Sequence, residues 1–236
     1  MKATTGSPAG RPATPIELVC LDMAGTTVAD DGAVGAAFSA ALDELGVAAG
    51  PERERMNAYV RDTMGTSKIE VFRALFDGED RARLANEAFE AAYDATVRRA
   101  GVRPLPGAIE CLEALRAGGL RIALTTGFSP RTRELVVSSL GWGRLVDLAL
   151  SPADAGRGRP FPDMVLAALV RLGASSVGAV AVVGDTRADM ECGRRAGASL
   201  VAGVLTGADD RSRLEAAGAT VVLDSVAALP ALVGLG

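Results

Sequence analysis

The stretch Leu18-Val19-Cys20-Leu21-Asp22-Met23-Ala24-Gly25-Thr26-Thr27 decides how the rest of the chain is read. Its apolar run predicts a strand buried on both faces, with Asp22 where that strand ends. Gly25 lets the backbone turn closely, and two threonines follow as short hydrogen-bonding groups. A carboxylate at the carboxyl end of a parallel strand stands where open α/β sheets hold their ligands. Taken alone, Asp22 reads equally as the cap of a turn. Its meaning depends on what the other strand ends carry.

Working outward, Ala33–Leu45, Pro51–Arg61, Ser67–Phe76 and Asp80–Arg99 read as helices with no strand signal among them. From Gly101 the pattern changes. Strands are expected at Leu120–Thr125, Leu145–Leu150, Ala179–Val183, Ser199–Val204 and Ala219–Leu223. Helices are expected from Pro106 to Arg116 and near 130–140, 161–172, 187–196 and 209–217. Alternating short strands and helices predict an α/β fold, a Rossmann-like parallel sheet flanked by helices. The all-helical block is too long for one crossover. It is expected to be an inserted cap over residues 31–103, with residues 16–30 and 104–236 forming the core. Residues 1–15 are rich in Gly, Pro, Thr and Ala without an apolar h-region, and read as a disordered tail rather than a signal peptide.

Composition narrows the function. The 236 residues are 49% hydrophobic and 23% charged, which suits a globular protein with a sizeable core. A net charge of −4 gives no electrostatic reason to bind nucleic acid, and no apolar run approaches a membrane span. Cys20, Cys111 and Cys192 lie far apart without metal-ligand spacing, which points to a reduced, cytoplasmic protein. There is no histidine, so Ser-His-Asp and Cys-His catalysis and His-ligated zinc are excluded. Of 25 Lys and Arg residues only Lys2 and Lys68 are lysines, and Lys2 falls in the tail.

Four stretches end or follow strands and bring phosphate or cation chemistry. They are Asp22, then Thr125-Thr126-Gly127, then Arg157-Gly158-Arg159-Pro160, then Gly184-Asp185-Thr186 with Asp189 four residues on. Parallel strands gather these ends on one rim. Two carboxylates there suit Mg²⁺, a hard cation that keeps waters for a phosphate to replace. Thr126 and Gly127 offer a hydroxyl and backbone N–H groups to phosphoryl oxygens, and Arg159 offers a cation. Singly, Asp185 could cap a helix and Arg159 could make a surface pair. All four in order argue for a site.

In that order and spacing the motifs Asp22-Met23-Ala24-Gly25-Thr26, Thr125-Thr126-Gly127, Arg159-Pro160 and Gly184-Asp185-Thr186-Arg187-Ala188-Asp189 resemble the haloacid dehalogenase superfamily of aspartyl-nucleophile hydrolases. Within it the chain is similar to the phosphonatase branch of phosphonoacetaldehyde hydrolase-like enzymes. That branch shares Ala24 where most relatives carry a second Asp, Arg159 where they carry lysine, and a cap lysine set as Met64-Gly65-Thr66-Ser67-Lys68. The resemblance implies a Mg²⁺-dependent enzyme in which Asp22 attacks phosphorus and becomes an aspartyl phosphate. Asp22, Asp185 and the Ala24 carbonyl would hold the metal, with Asp189 and Thr26 supporting them by hydrogen bonding. Lys68 would condense with a substrate aldehyde as a Schiff base. A homodimer through the cap is implied in the same way.

Physical reasons accompany these roles. A carbon–phosphorus bond has no oxygen leaving group to protonate, so the acid missing at Ala24 is coherent with Lys68. Arginine could not replace Lys68, because it stays protonated and forms no imine. Ser67-Lys68-Ile69-Glu70 reads as a capping box that puts Lys68 at the first helical position, where the helix end and desolvation disfavour its ammonium form. Alone, Lys68 would read as a solvated surface residue. The chain departs from the branch at Val71, where those enzymes carry a histidine, and at Phe128, where they tend to carry tyrosine. Proton transfer then falls to water, Glu70 or another group. The alternative is a phosphomonoester hydrolase of the phosphoglycolate-phosphatase kind, with Lys68 as an electrostatic contact only. A purely binding domain fits less well, since Asp22, Thr126, Arg159 and Asp185 are all present.

Overall fold

A computed structural model describes residues 14–235. The tail expected at residues 1–15 lies outside the described residues except for its last two. The opening stretch forms β1 (Leu18–Asp22), and all five of its residues are buried. It pairs in parallel with β2 (Arg121–Thr125) on one side and β4 (Val180–Gly184) on the other. The sheet is completed by β3 (Leu148–Leu150), β5 (Leu200–Val204) and β6 (Val221–Leu223), in the order β3-β2-β1-β4-β5-β6. This is the Rossmann-like order, in which the direction of winding reverses beside β1. The expected fold class is the observed one.

Strand alternation divides the core. Val19 and Leu21 pack with Leu112 and Leu115, while Leu18 and Cys20 pack with Met164, Val165 and Cys192 on the opposite face. Each such fully buried aliphatic side chain is worth roughly 1.5–3 kcal/mol of transfer free energy, so a doubly covered central strand firmly anchors the turn beyond Asp22. All three cysteines are free and buried.

Between β1 and β2 lie α1 (Ala33–Glu44), α2 (Pro51–Asp62), α3 (Lys68–Leu75) and α4 (Glu79–Ala100), then α5 (Ala108–Ala117) against the sheet. Of the first four, α1, α3 and α4 pack on one another through aromatic rings, with Phe38 centred 4.7 Å from Phe89 and 5.1 Å from Phe72. Tilted pairs of this kind add about 0.5–1.5 kcal/mol each beyond their buried area. Two chain crossings join this block to the sheet and run side by side, with Ala29 N donating to Arg103 O at 3.0 Å and Leu105 N to Thr27 O at 3.0 Å. Among the described residues no helix is long and apolar enough to cross a membrane.

The remaining helices are α6 (Pro130–Leu140), α7 (Pro152–Ala155), α8 (Asp163–Leu172), α9 (Arg187–Ala196), α10 (Arg211–Ala216) and α11 (Leu229–Leu232). Two expected strands are shorter than the apolar pattern suggests. A tight turn at Trp142–Arg144 consumes the approach to β3, and Asp147 accepts Ile122 N at 2.8 Å with its side chain just before that strand begins. At β6 only Val221–Leu223 pair, on the sheet's edge.

Candidate active site

Three strand ends and one loop bring the expected groups together. Asp22 ends β1 opposite Thr125 of β2, and β4 ends at Gly184, so Asp22 and Asp185 leave adjacent strands at the same rim. Both are buried. Thr27 Oγ1 donates to Asp22 O at 2.9 Å, and Gly25 N donates to Val28 O at 2.8 Å, which closes the turn after the strand. Arg159, in the loop between α7 and α8, reaches in and places Nη2 2.6 Å from Asp22 Oδ1. Its Nη1 is paired with Asp189. The Arg159 Nε–H is buried without a partner among the described residues, a donor that a phosphoryl oxygen could satisfy.

Asp185 is held from two sides. Thr26 Oγ1 donates to its Oδ1 at 2.8 Å, and Ala208 N donates to its Oδ2 at 2.8 Å. A Cβ on Gly207 would lie 1.9 Å from that second oxygen, so only glycine lets the loop after β5 approach. Thr206 Oγ1 ties the same loop to Gly25 O at 2.7 Å. Asp189 closes a capping box with Thr186 at the start of α9 while it faces Arg159. Thr26 hydrogen-bonds Asp185 as expected of a supporting group, whereas Asp189 bonds to Arg159 and Thr186 and to neither Asp22 nor Asp185. Sequence reasoning misses the loop at Thr206-Gly207-Ala208; its signal is a glycine shortly past a strand end, which is weak alone.

Oxygen atoms of Asp22, Asp185 and Asp189 lie within 4.8 Å of one another. Burial pushes the Asp22 carboxyl up to about 6, with Arg159 pulling against it and Asp189 adding to it. Burial, then the charges of Asp22 and Asp189, hold the Asp185 carboxyl well above the usual carboxylate range. Arg159 pairs with Asp22 and Asp189 but not with Asp185, so the cluster offers more carboxylate oxygens than its arginine engages. Those are the donors a magnesium-like cation takes.

Thr126 accepts Phe128 N at 3.2 Å through its hydroxyl oxygen, leaving its own hydrogen to donate. Gly127 meets the helical block directly. A Cβ there would lie 2.8 Å from Thr66 O, and Gly127 O accepts Lys68 N at 3.4 Å. Lys68 is the first residue of α3, as expected, and is buried. The expected capping box is absent. Ser67 makes no side-chain cap hydrogen bond, because it is buried against Gly158, while Glu70 pairs outward with Arg73 at 2.5 Å.

The Lys68 Nζ lies 5.5 Å from the Phe128 ring centre and 5.9 Å from that of Phe38. Among the described residues no carboxylate reaches ion-pair distance of it. Burial brings its ammonium down to about 8, Arg159 adding to the effect and Asp22, Asp30 and Glu90 opposing it. Val71 is buried among apolar side chains, and Phe128 packs 4.5 Å from Tyr93, so neither position supplies a proton. One cavity of about 390 Å³ is lined by Asp22, Ala24, Lys68, Thr126, Arg159 and Asp185 among others, room for a small ligand.

A buried carboxylate at a strand end, a second beside it and a buried arginine suit a hydrolase. The chain belongs to the haloacid dehalogenase-like hydrolase family, whose model matches residues 16–197. It is 30% identical over 257 residues to a phosphonoacetaldehyde hydrolase from Bacteroides fragilis, covering 93% of this chain and 96% of that one. It is 28% identical over 212 residues to a Dickeya dadantii protein named "Probable phosphatase IndB", covering 88% and 89%. The crystal structure of a phosphonoacetaldehyde hydrolase like protein from Oleispira antarctica superposes with a TM-score of 0.80 at 26% identity, over 99% of this chain and 95% of that one.

Proposed function

We propose that this hydrolase cleaves the carbon–phosphorus bond of a 2-oxoalkyl phosphonate, a phosphonoacetaldehyde-like small molecule. The observation that carries the reading is the buried lysine. Lys68 shares one cavity with Asp22, its ammonium is weakened to about 8, and Ala24 offers no acid to an oxygen leaving group. In this reading the Lys68 amine condenses with the substrate carbonyl. Asp22 attacks phosphorus, the carbon–phosphorus electron pair passes into the iminium to give an enamine, and the phosphoryl group rests on Asp22 until water removes it. Arg159, Thr126 and the Gly127 backbone hold the phosphoryl oxygens.

Asp22, Asp185 and the Ala24 carbonyl are the groups that would hold Mg²⁺. When bound, the ion would screen the charge between carboxylate and phosphonate and keep Asp22 ionised. Residues 31–103 act as a cap that carries Lys68, over a core of residues 16–30 and 104–236. A homodimer through the cap and a cytoplasmic location complete the reading, the latter supported by three free cysteines.

Phosphate release from phosphonoacetaldehyde and from phosphoglycolate, compared for the native chain and Lys68→Arg, tests it. The expected result is turnover of the phosphonate that falls roughly hundredfold or more in the variant. Turnover of phosphoglycolate alone, retained in Lys68→Arg, would make the protein a phosphomonoester hydrolase with Lys68 as a charge contact.

A further inference from the structure

Imine formation needs a group to move protons, and Val71 removes the side chain that would do so in the enzymes this chain resembles. The ionisable groups near Lys68 are mostly committed. Asp22 and Asp189 face Arg159, and Asp185 accepts from Thr26 and Ala208. Asp31 is paired with Arg103 at 2.7 Å. Glu70 faces Arg73, and Glu90 accepts from Ser129 and Thr132 at the start of α6. Tyr93 is buried, which pushes its phenol up and away from proton exchange near neutrality.

Asp30 is the exception. It stands in the crossing between β1 and α1 and lines the cavity that holds Asp22 and Lys68. Its Oδ1 accepts Val34 N at 3.0 Å, which fixes the carboxylate at the start of α1. Its Oδ2 has no hydrogen-bond partner among the described residues. Its charge, like those of Asp22 and Glu90, favours the Lys68 ammonium.

We propose that Asp30 is the general acid and base of the Lys68 imine steps, which rests on the Schiff-base reading above. As the neutral amine attacks, a nitrogen–carbon bond forms and the carbonyl π pair moves to oxygen. Asp30 passes the proton it has taken from the Lys68 ammonium to that oxygen and takes one back from the new ammonium. It then protonates the carbinolamine hydroxyl, which leaves as water while the nitrogen lone pair closes the protonated imine. The balance is one carbonyl and one lysine ammonium converted to one iminium and one water, with Asp30 unchanged at the end.

The test is the rate of borohydride trapping by phosphonoacetaldehyde in Asp22→Asn, which should form the imine without cleaving phosphorus, against Asp22→Asn/Asp30→Asn. Asparagine keeps an oxygen that can accept from Val34 N and loses only the proton-transfer function. The double variant is expected to trap about tenfold more slowly or worse, yet reach the same final extent. That shared endpoint reports an intact Lys68 site. A purely electrostatic Asp30 predicts the opposite sign, since losing its charge frees more neutral amine and speeds trapping. An equal or faster rate overturns the proposal. Absence of adduct in Asp22→Asn itself would sink the Schiff-base reading and this inference with it.

Discussion

The sheet rim and the helical block build their halves of the cavity by opposite means. At the rim almost every functional atom has a hydrogen-bonding anchor: Asp185 takes two donors, Asp22 faces Arg159, and Asp189 caps α9 while it faces the same arginine. On the helical side Lys68 is held by its place at the start of α3 and by aromatic faces, with no polar partner among the described residues for its amine. A phosphoryl site gains from donors fixed in advance of the charge they meet. An imine-forming amine gains from the reverse, because each carboxylate bonded to it would keep it protonated. In the proposed reaction the rim takes phosphorus and the helices take carbon.

Removing the proposed nucleophile should have the largest effect. Asp22→Asn is expected to lower steady-state turnover of any phosphorus substrate by at least about 10³-fold, as loss of a covalent nucleophile does elsewhere. Turnover near the native rate would remove Asp22 from the chemistry. A smaller, structural effect is expected at Gly207→Ala. Its Cβ must displace an Asp185 oxygen 1.9 Å away, costing roughly 1–3 kcal/mol. The melting temperature should fall and the Mg²⁺ concentration for half-maximal activity should rise, and an unchanged metal requirement would detach Asp185 from the ion. A further expectation is a pH dependence. Only the neutral amine attacks a carbonyl, so phosphonate turnover should rise as pH passes upward through about 8. Two pH units below that value only about 1% of the amine is neutral. A rate that is flat across that range would mean that the Lys68 proton is irrelevant.

The rim is legible in the sequence because its signals are local. An apolar run that stops at Asp22, and another that stops at Gly184-Asp185, mark strand ends whatever surrounds them, and parallel pairing then brings them together. The helical order around Lys68 is legible for the same reason. What escapes depends on partners remote in sequence. The Ser67–Glu70 capping box is a sound local pattern, but burial of Ser67 against Gly158 overrides it. Asp30 looks like any acidic residue before a helix until the fold puts Lys68 in the same cavity. Gly207 is a plain loop glycine until Asp185 lies against it. Local pattern therefore reveals the cluster at the rim, and tertiary contact reveals the groups packed against it.

The central claim is that Lys68 forms a covalent bond to substrate, and this chain makes that unusually easy to test because its only other lysine is Lys2. Native protein incubated with phosphonoacetaldehyde, reduced with borohydride and mapped by mass spectrometry should carry the reduced adduct at Lys68, with loss of activity in proportion. An unmodified Lys68 in protein that nonetheless releases phosphate would contradict the account.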